Sequence, residues 1–272
     1  AGPPAPRPAA APPVERRPAA GGIGVLGGHL RSPASAAAVS GEPVVAALGG
    51  SAARHTVLAG GGARVITTEH ALAALAGLGV TDADIVLSSG QELPIDDGSA
   101  ACFVRAIDAA GLVEPGGTID PLVVRGPVSV DDGRGGVIHA EPAAAADYHY
   151  SLDYGAGAPV LPQRVRWSGD AARFRKDIAP ARTFSLRAEA EAMRAAGLFT
   201  AFTPADLPVV DDDGSLIDND WRFDDEPARH KLLDLIGDLA LVGRPILGRV
   251  MASRSGHALN HEMARTLLDR FG

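Results

Sequence analysis

The chain has 272 residues, which is long enough for one large domain or two smaller ones with buried cores. Its 46% hydrophobic and 21% charged residues are typical of a globular protein, and no apolar run approaches the length of a membrane span. The net charge of −8 argues against nucleic-acid binding as the main function. One cysteine, Cys102, excludes a disulfide framework and a thiolate zinc site, so any metal must be held by histidine and carboxylate.

The first part of the chain divides into a lead-in and a patterned block. Residues 1–21 are rich in Ala and Pro without periodicity, and we expect them to be disordered. They lack the basic start and apolar core of a signal peptide, so we expect a cytoplasmic protein. Residues 22–115 form the first predicted α+β domain. Its elements are the strand and helix of ARVITTEHALAALAGLGV with a stripe of Leu72, Leu75 and Leu78, the strand ADIVLSS, the loop QELPIDDGSA and the helix ACFVRAIDAAGL.

A second patterned block follows the Pro/Gly-rich boundary EPGGT at residues 114–118. Residues 119–272 form the second predicted α+β domain, which begins with a strand pair around a DDGRGG turn and two further strands, DYHYSLDYG and RVRWSG. The later elements are the helix SLRAEAEAMRAAGL, the hairpin LPVVDDDGSLI, the helix RHKLLDLIGDLALVG, the strand and loop PILGRVMASRSG and the helix HALNHEMARTLLDRF. Strands followed by paired helices, twice over, predict an α+β protein of two similarly built layered halves.

The helix RHKLLDLIGDLAL carries an unusual polar stripe. His230, Asp234 and Asp238 recur at every fourth position and so lie on one face, while leucine and isoleucine cover most of the remaining circumference, as in a buried helix. Either the stripe is the solvent-exposed face, as charged residues usually are, or it faces a site. A neutral imidazole and a carboxylate one turn apart suit zinc, so the second interpretation makes His230 and Asp234 metal ligands.

Three other segments offer groups for catalysis. In TTEH, Glu69 and His70 open a helix, whose N-terminus stabilises a carboxylate and keeps an imidazole neutral; a capping role for Glu69 explains the pair nearly as well. His257 lies in a loop before the last helix, where an incidental histidine is an equal alternative. Thr183, in an irregular segment, can offer a hydroxyl to a developing charge. The other histidines have no such context: His139 and His149 fit a sheet face, and nothing favours chemistry at His29, His55 or His261.

Together these residues fit one reaction, the metal-assisted hydrolysis of an amide or ester. His70, His230, Asp234 and a water molecule make an open zinc site of the catalytic type, although this ligand set also accepts iron(II). Zinc lowers the pKa of its water to roughly 7. The remaining roles are a base that takes the second proton (Glu69), an acid that protonates the leaving amine (His257), a carboxylate that orients this acid (Asp238) and an oxyanion contact (Thr183).

Several segments closely resemble those of the UDP-3-O-acyl-N-acetylglucosamine deacetylases, the zinc amidases of lipid A biosynthesis. The resemblance runs from about Gly22 to the C-terminus, and its segments are highly specific as a set: TTEHALAALAGLG, ELPIDDGSA, ARTF, FDDEPARHKLLDLIGDLALVG and SGHALNHE. It implies a deacetylase whose substrate is a UDP-sugar with an acyl chain. It also implies two layered α+β domains with zinc in the cleft between them. We expect a monomer with no nucleic-acid partner and at most peripheral membrane contact.

The resemblance also implies site roles, position by position. The matching zinc ligands are His70, His230 and Asp234, and the matching catalytic residues are Glu69, His257, Asp238 and Thr183. Lys231 and Phe184 match positions that bind the substrate.

Three departures from the family pattern accompany this resemblance. The opening Gly-x-Gly-Leu-His segment has no match, so we expect the chain either to be a fragment or to have lost that strand pair. The stretch Gly197 to Gly214 replaces a Gly-Gly-Ser type segment beside the acyl passage, and Ser185 replaces a glycine after Phe184. They leave two alternatives open: a zinc amidohydrolase for another N-acetylated nucleotide sugar, and a non-catalytic relative that acts as a binding module.

Overall fold

A computed structural model describes residues 24–26, 55–60, 63–87, 91–113 and 119–272. This part of the chain mixes helices and strands, in agreement with the predicted α+β class. Its helices are α1 (Glu69–Gly77), α2 (Ala101–Ala110), α3 (Ala171–Arg173), α4 (Arg187–Ala195), α5 (Glu226–Leu239) and α6 (His257–Phe271). A π-helical turn, Phe174–Ile178, continues α3, and a 3-10 turn, Ala240–Val242, continues α5.

The strands of the described residues form one large sheet and several small pairs. They are β1 (Gly24–Leu26), β2 (Val57–Gly60), β3 (Ala63–Ile66), β4 (Asp84–Val86), β5 (Leu122–Val123), β6 (Val128–Asp131), β7 (Val137–Glu141), β8 (Ala146–Leu152), β9 (Gln163–Trp167), β10 (Ser185–Leu186), β11 (Val209–Val210) and β12 (Ile246–Ser253). The large sheet has the order β6-β7-β12-β8-β9, and β5 pairs in parallel with the start of β12. The small pairs are β1 with β4, β2 with β3 and β10 with β11.

The large sheet supports the two helices that carry most of the candidate site. Every second residue of β12 is buried, including Val250 and Ala252, and α5 and α6 pack on this sheet. His139 on β7 and His149 on β8 both pair with Met251 of β12, at positions that alternate with the buried ones. The prediction that these two histidines lie on a sheet face is therefore confirmed.

Helix α1 approaches α5 so closely that only small residues fit between the two backbones. A Cβ atom on Gly237 would lie 2.1 Å from the carbonyl oxygen of Glu69 and 3.2 Å from the backbone nitrogen of Ala73. Alanines fill the buried face of α1, and of the predicted leucine stripe only Leu78 is buried. The close contact brings Glu69 and His70, at the start of α1, beside the middle of α5.

Some of the other predicted elements are present in the structure, and others fall outside the described residues. The strand pair around the DDGRGG turn is present as β6 and β7, and a bridge between Val210 and Leu216 closes the predicted hairpin. The lead-in 1–21, the boundary 114–118 and His29 lie outside the described residues. No helix in the described part of the chain has the length and apolar character needed to cross a membrane.

Candidate active site

Helix α5 buries its whole polar stripe. His230, Asp234 and Asp238 are 2%, 3% and 0% exposed, so the solvent-face interpretation of the stripe is wrong. The helix starts with Pro227 in its first turn, where the missing backbone N–H has no helical partner to lose. It lies between α1 and the strands β8 and β9, with buried leucines around it. Three buried ionisable groups on one helix each need a partner, because an unpaired buried charge is strongly destabilising.

Three side chains meet where α1 contacts α5, and they can hold a metal ion. The ligand atoms of His70, His230 and Asp234 all lie within 4.8 Å of one another. Asp234 Oδ1 is 3.6 Å from His70 Nε2 and 3.4 Å from His230 Nε2, and the two rings are nearly perpendicular, at 88°. Within the described part of the chain, this buried oxygen has no hydrogen-bond partner. A buried, unpaired carboxylate oxygen that faces two imidazole nitrogens fits a cation, and the donor set suits zinc.

His230 is held in the neutral form that a metal requires. Its Nδ1 atom donates to the carbonyl oxygen of Ala181 at 3.2 Å, which leaves the lone pair on Nε2. Burial is the main cause that lowers the pKa of His230 to about 3, against the opposing effect of Asp234. A carbonyl behind an imidazole ligand is the outer contact that fixes ring orientation in metal sites.

Asp234 stays ionised although it is buried. Burial alone would raise its pKa, but His230 and Lys231 hold the pKa of this carboxyl well below its usual range. Lys231 Nζ donates to Asp234 Oδ2 at 2.9 Å, on the carboxylate oxygen that does not face the imidazoles. The carboxylate therefore has one oxygen neutralised by a lysine and one free for a cation.

Glu69 begins α1 directly before His70 and is 3% exposed. Its Oε2 atom accepts a hydrogen bond from the backbone N–H of Thr56 at 2.9 Å, so its partner lies outside its own helix. Burial raises the pKa of Glu69, against the lowering effects of His257 and His70. A carboxyl whose pKa is shifted toward neutrality can both accept and release a proton.

Asp238 and His257 form an ion pair across α5 and α6. Asp238 Oδ2 accepts hydrogen bonds from His257 Nδ1 and Asn260 Nδ2, both at 2.8 Å. Burial alone would lower the pKa of His257, but Asp238 and the carboxylates of Asp234 and Glu69 raise it to about 10. The imidazole is therefore cationic near neutral pH in the metal-free protein, and its Nε2 proton is not used by Asp238.

The segment that carries Thr183 forms hydrogen bonds with the loop before α2 and with the candidate ligand His230. The backbone N–H of Thr183 donates to the carbonyl oxygen of Gly98 at 2.7 Å. Gly98 has a φ of +80°, and a Cβ atom there would lie 2.8 Å from Thr183 Cγ2, so glycine is required at this position. Two residues before Thr183, Ala181 supplies the carbonyl behind His230. One backbone segment thus carries both the predicted oxyanion contact, Thr183, and the carbonyl that orients the predicted ligand His230.

A buried ion pair fixes this segment to the first turn of α5. Arg182 and Glu226 are 5% and 0% exposed. Glu226 Oε1 accepts from the Nε and backbone N–H of Arg182 at 2.8 and 2.9 Å, and Oε2 accepts from Nη2 at 3.0 Å. The backbone N–H of Arg222 is the fourth donor to this carboxylate and lies 2.7 Å from Oε2. The pair is fully hydrogen-bonded, which is the condition under which a buried ion pair is tolerated.

The two predicted substrate-binding residues, Lys231 and Phe184, are both partly exposed. Phe184 packs edge-on against Tyr154 and Trp221, with ring centroids 6.4 and 6.2 Å apart. This aromatic group gives Phe184 a fixed orientation, while Lys231 is fixed by Asp234.

Three polar residues of the site were not predicted from the sequence: Thr56, Asn260 and His261. His261 Nε2 lies 2.9 Å from Thr56 Oγ1 and 3.3 Å from Asp238 Oδ1. The one available signal was the four-residue spacing between His257 and His261, which puts both on one face of α6. Thr56 has no such signal, because all its contacts come from distant parts of the chain.

Comparison with known proteins agrees with the resemblance seen in the sequence. A sequence model of the family described as UDP-3-O-acyl N-acetylglycosamine deacetylase (LpxC) matches residues 17–269. A UDP-3-O-acyl-N-acetylglucosamine deacetylase of Anaeromyxobacter sp. (strain Fw109-5) is 41% identical over 213 residues, which is 78% of this chain and 69% of the relative. Proteins of the same name from Anaeromyxobacter dehalogenans and Citrifermentans bemidjiense are 41% and 39% identical over 78% and 79% of this chain, and over 68% and 70% of their own lengths.

Proposed function

The chain belongs to the UDP-3-O-acyl N-acetylglycosamine deacetylase family, and we propose that it removes the acetyl group from UDP-3-O-acyl-N-acetylglucosamine in lipid A biosynthesis. The products are acetate and a free amine on the sugar. The observation that carries this proposal is the buried group of His70, His230 and Asp234, where an unpaired carboxylate oxygen faces two imidazole nitrogens. Zinc is the cofactor of this family, and these three residues would hold it.

The proton acceptor in the proposed reaction is Glu69. Zinc, when bound, makes the substrate carbonyl more electrophilic and a water molecule more acidic. Glu69 accepts the proton of the attacking water, because it adjoins the ligand His70 and burial raises its pKa toward the working range. The hydrogen bond from Thr56 to Oε2 leaves Oε1 to meet the water.

The proton donor is His257. Breaking the C–N bond requires a proton on the leaving nitrogen, since an amide anion is a very poor leaving group. Asp238 holds the His257 ring through Nδ1 and keeps it cationic, so the Nε2 proton is ready for transfer. Thr183 would stabilise the negative charge that develops on the carbonyl oxygen by donating a hydrogen bond from its hydroxyl.

Lys231 and Phe184 are the proposed substrate contacts. The Lys231 ammonium is bound to Asp234 through one hydrogen bond and remains partly exposed, which leaves donors for an anionic or hydroxyl group of the substrate. Phe184 offers the exposed part of a fixed aromatic ring to the apolar face of a sugar or to the acyl chain.

The finer organisation of the chain is also part of the proposal. Residues 22–115 and 119–272 would be two layered α+β domains, with the metal in the cleft between them. In support, α1 with His70 comes from the first range, while α5 and the large sheet come from the second. We also propose that the protein is cytoplasmic and that it is a monomer. The monomer is supported by the three candidate ligands, which all come from one chain. Analytical ultracentrifugation tests the oligomeric state.

The test is a discontinuous assay for free amine with zinc-loaded protein and UDP-3-O-(3-hydroxyacyl)-N-acetylglucosamine. We expect turnover in the parent and a loss of about 10²–10⁴-fold in Glu69→Ala, with zinc content unchanged. Glu262→Ala is the matched control, because Glu262 is an exposed residue on α6. Equal turnover of the same sugar nucleotide without its acyl chain would indicate a different substrate. Parent-like turnover in Glu69→Ala would remove Glu69 as the base.

A further inference from the structure

Thr56 lies just before β2, is fully buried and uses each of its polar atoms at the site. Its backbone N–H donates to Glu69 Oε2 at 2.9 Å, and its hydroxyl donates to Asp238 Oδ1 at 2.5 Å. Its carbonyl oxygen accepts from the backbone N–H and the hydroxyl of Thr68, at 3.1 and 3.2 Å. A single residue therefore touches the proposed proton acceptor and the carboxylate behind the proposed proton donor.

The directions of the hydrogen bonds around Thr56 follow from counting hydrogens. The hydroxyl has one hydrogen, and the Asp238 carboxylate can only accept, so the hydroxyl donates to Asp238. The contact of 2.9 Å with His261 must then run the other way, with His261 Nε2–H donating to Thr56 Oγ1. The result is a directed chain of hydrogen bonds from His261 through Thr56 to Asp238.

This chain completes the set of donors around Asp238. Oδ2 receives the hydrogen bonds of His257 and Asn260, and Oδ1 receives that of Thr56 with the longer contact to His261 at 3.3 Å. A carboxylate with donors on both oxygens cannot rotate without losing several hydrogen bonds at once. Its plane, and with it the His257 ring, is fixed.

We propose that Thr56 is a positioning residue for catalysis, which holds Glu69 through its backbone and Asp238 through its hydroxyl and so sets the geometry between the two proton-transfer groups. His261 is the second positioning residue, because it orients the Thr56 hydroxyl. This inference rests on the proposed deacetylase function. It differs from a purely structural role in predicting an effect on kcat that is larger than the effect on KM, zinc binding or folding.

Three substitutions separate a positioning role from a purely structural one. Thr56→Val keeps the shape and the backbone N–H but removes the hydroxyl, so Asp238 Oδ1 loses its closest donor and His261 Nε2 loses its closest acceptor. Thr56→Ser keeps the hydroxyl. Thr68→Val is the matched control, because Thr68 is also buried (2% exposed) and its hydroxyl donates to the Thr56 carbonyl, which keeps its backbone donor when that hydroxyl is removed.

We expect Thr56→Val to lower kcat by about 10–100-fold, the usual effect of removing an outer contact in a metal site, with KM and zinc content within about twofold of the parent. Thr56→Ser should retain at least about a third of parent kcat, and Thr68→Val should resemble the parent. Equal kcat in Thr56→Val and Thr68→Val would overturn the proposal, as would failure of serine to restore turnover. If Thr56→Val does not fold, His261→Leu takes its place; it should lower kcat about threefold or more, and parent-like kcat would contradict the directed chain.

A spectroscopic measurement separates this inference from the proposed function. The proton on His257 Nδ1 that is shared with Asp238 gives a downfield resonance in the NMR spectrum of the zinc-loaded protein. Thr56→Val should shift this resonance, because Asp238 loses one of its donors, whereas Thr68→Val should not. If the parent shows no turnover but Thr56→Val still shifts the resonance, the deacetylase function is refuted and the positioning role of Thr56 stands. A resonance unchanged in Thr56→Val would refute the positioning role, whatever the turnover.

Discussion

Asp234 and Asp238 lie one turn apart on α5 and are equally buried, yet their surroundings are opposite. Asp234 has Lys231 on one oxygen, while the other faces two imidazole nitrogens and accepts no hydrogen bond from any residue that the structure describes. Asp238 has hydrogen-bond donors on both oxygens, from α6 and from Thr56. An open lone pair suits a cation, whereas a saturated carboxylate suits the task of holding a cationic ring.

The neighbouring side chains, rather than burial or residue type, determine the different roles of these two carboxylates. In both cases burial alone would raise the pKa of the carboxyl, and neighbouring side chains hold it below its usual range. The groups responsible differ: His230 and Lys231 act on Asp234, and His257 with His261 acts on Asp238. The same substitution at the two positions should therefore give different losses.

The largest loss is expected for Asp234→Asn. The amide keeps the size of the side chain but removes the negative charge that faces His70 and His230. Zinc affinity should fall at least about 100-fold, beyond the 10–100-fold that outer contacts contribute, and turnover should fall with it. Metal analysis after dialysis against a weak chelator measures the effect. Retention of one zinc per chain would contradict the ligand role of Asp234.

The Asp238→Asn variant should retain its zinc but lose most of its turnover. An amide presents only one acceptor, so its nitrogen would meet either the His257 donor or the Thr56 hydroxyl, and the ring would lose its fixed orientation and charge. We expect turnover to fall by about 10²–10⁴-fold, the contribution of a general acid, with zinc content near that of the parent. Loss of zinc here, equal to that in Asp234→Asn, would erase the distinction between the two carboxylates.

The sequence predicts much of this site because its signals are local. The four-residue spacing of His230, Asp234 and Asp238 gives one helix face, and the leucines around it indicate burial, so a polar face inside the protein follows. Glu69 and His70 are adjacent, so one helix start delivers both. The stripe alone left solvent exposure as an alternative, and only the combination with other segments favoured a metal.

The parts that the sequence does not predict depend on long-range packing. Thr56 and Asp238 are 182 positions apart, and no pattern near either one indicates the hydrogen bond between them. The close approach of α1 and α5 depends likewise on a distant contact, that of Gly237 with the backbone of Glu69. As a result, alanines rather than the predicted leucine stripe form most of the buried face of α1. Such contacts follow from the fold as a whole, whereas helix faces follow from spacing.

A third carboxylate of α5, Glu226, extends the comparison to stability. It is saturated like Asp238, but its partner Arg182 holds the segment before Thr183 rather than a titrating ring. Glu226→Gln should lower the free energy of unfolding by about 3–5 kcal/mol, because it leaves a buried guanidinium without its counter-ion. Urea unfolding measures this, and the exposed Glu262→Gln is the control, within about 0.5 kcal/mol of the parent. A loss below about 1 kcal/mol would mean that the pair is not buried in solution.

The charge on His257 makes the stability of the metal-free protein depend on pH. Burial opposes the charge on His257, but Asp238 and other carboxylates raise the pKa to about 10, above the value of about 6.5 in an unfolded chain. The folded state therefore binds the proton more tightly, and this stabilisation is complete below about pH 6.5 and disappears as the pH rises toward 10, with a slope of at most about 1.4 kcal/mol for each pH unit. The free energy of unfolding should fall over this range in the parent and fall less in His257→Gln, as measured by urea unfolding at several pH values. Parallel curves for the two proteins would mean that Asp238 does not hold a cationic ring, and the contrast with Asp234 would then rest on the metal alone.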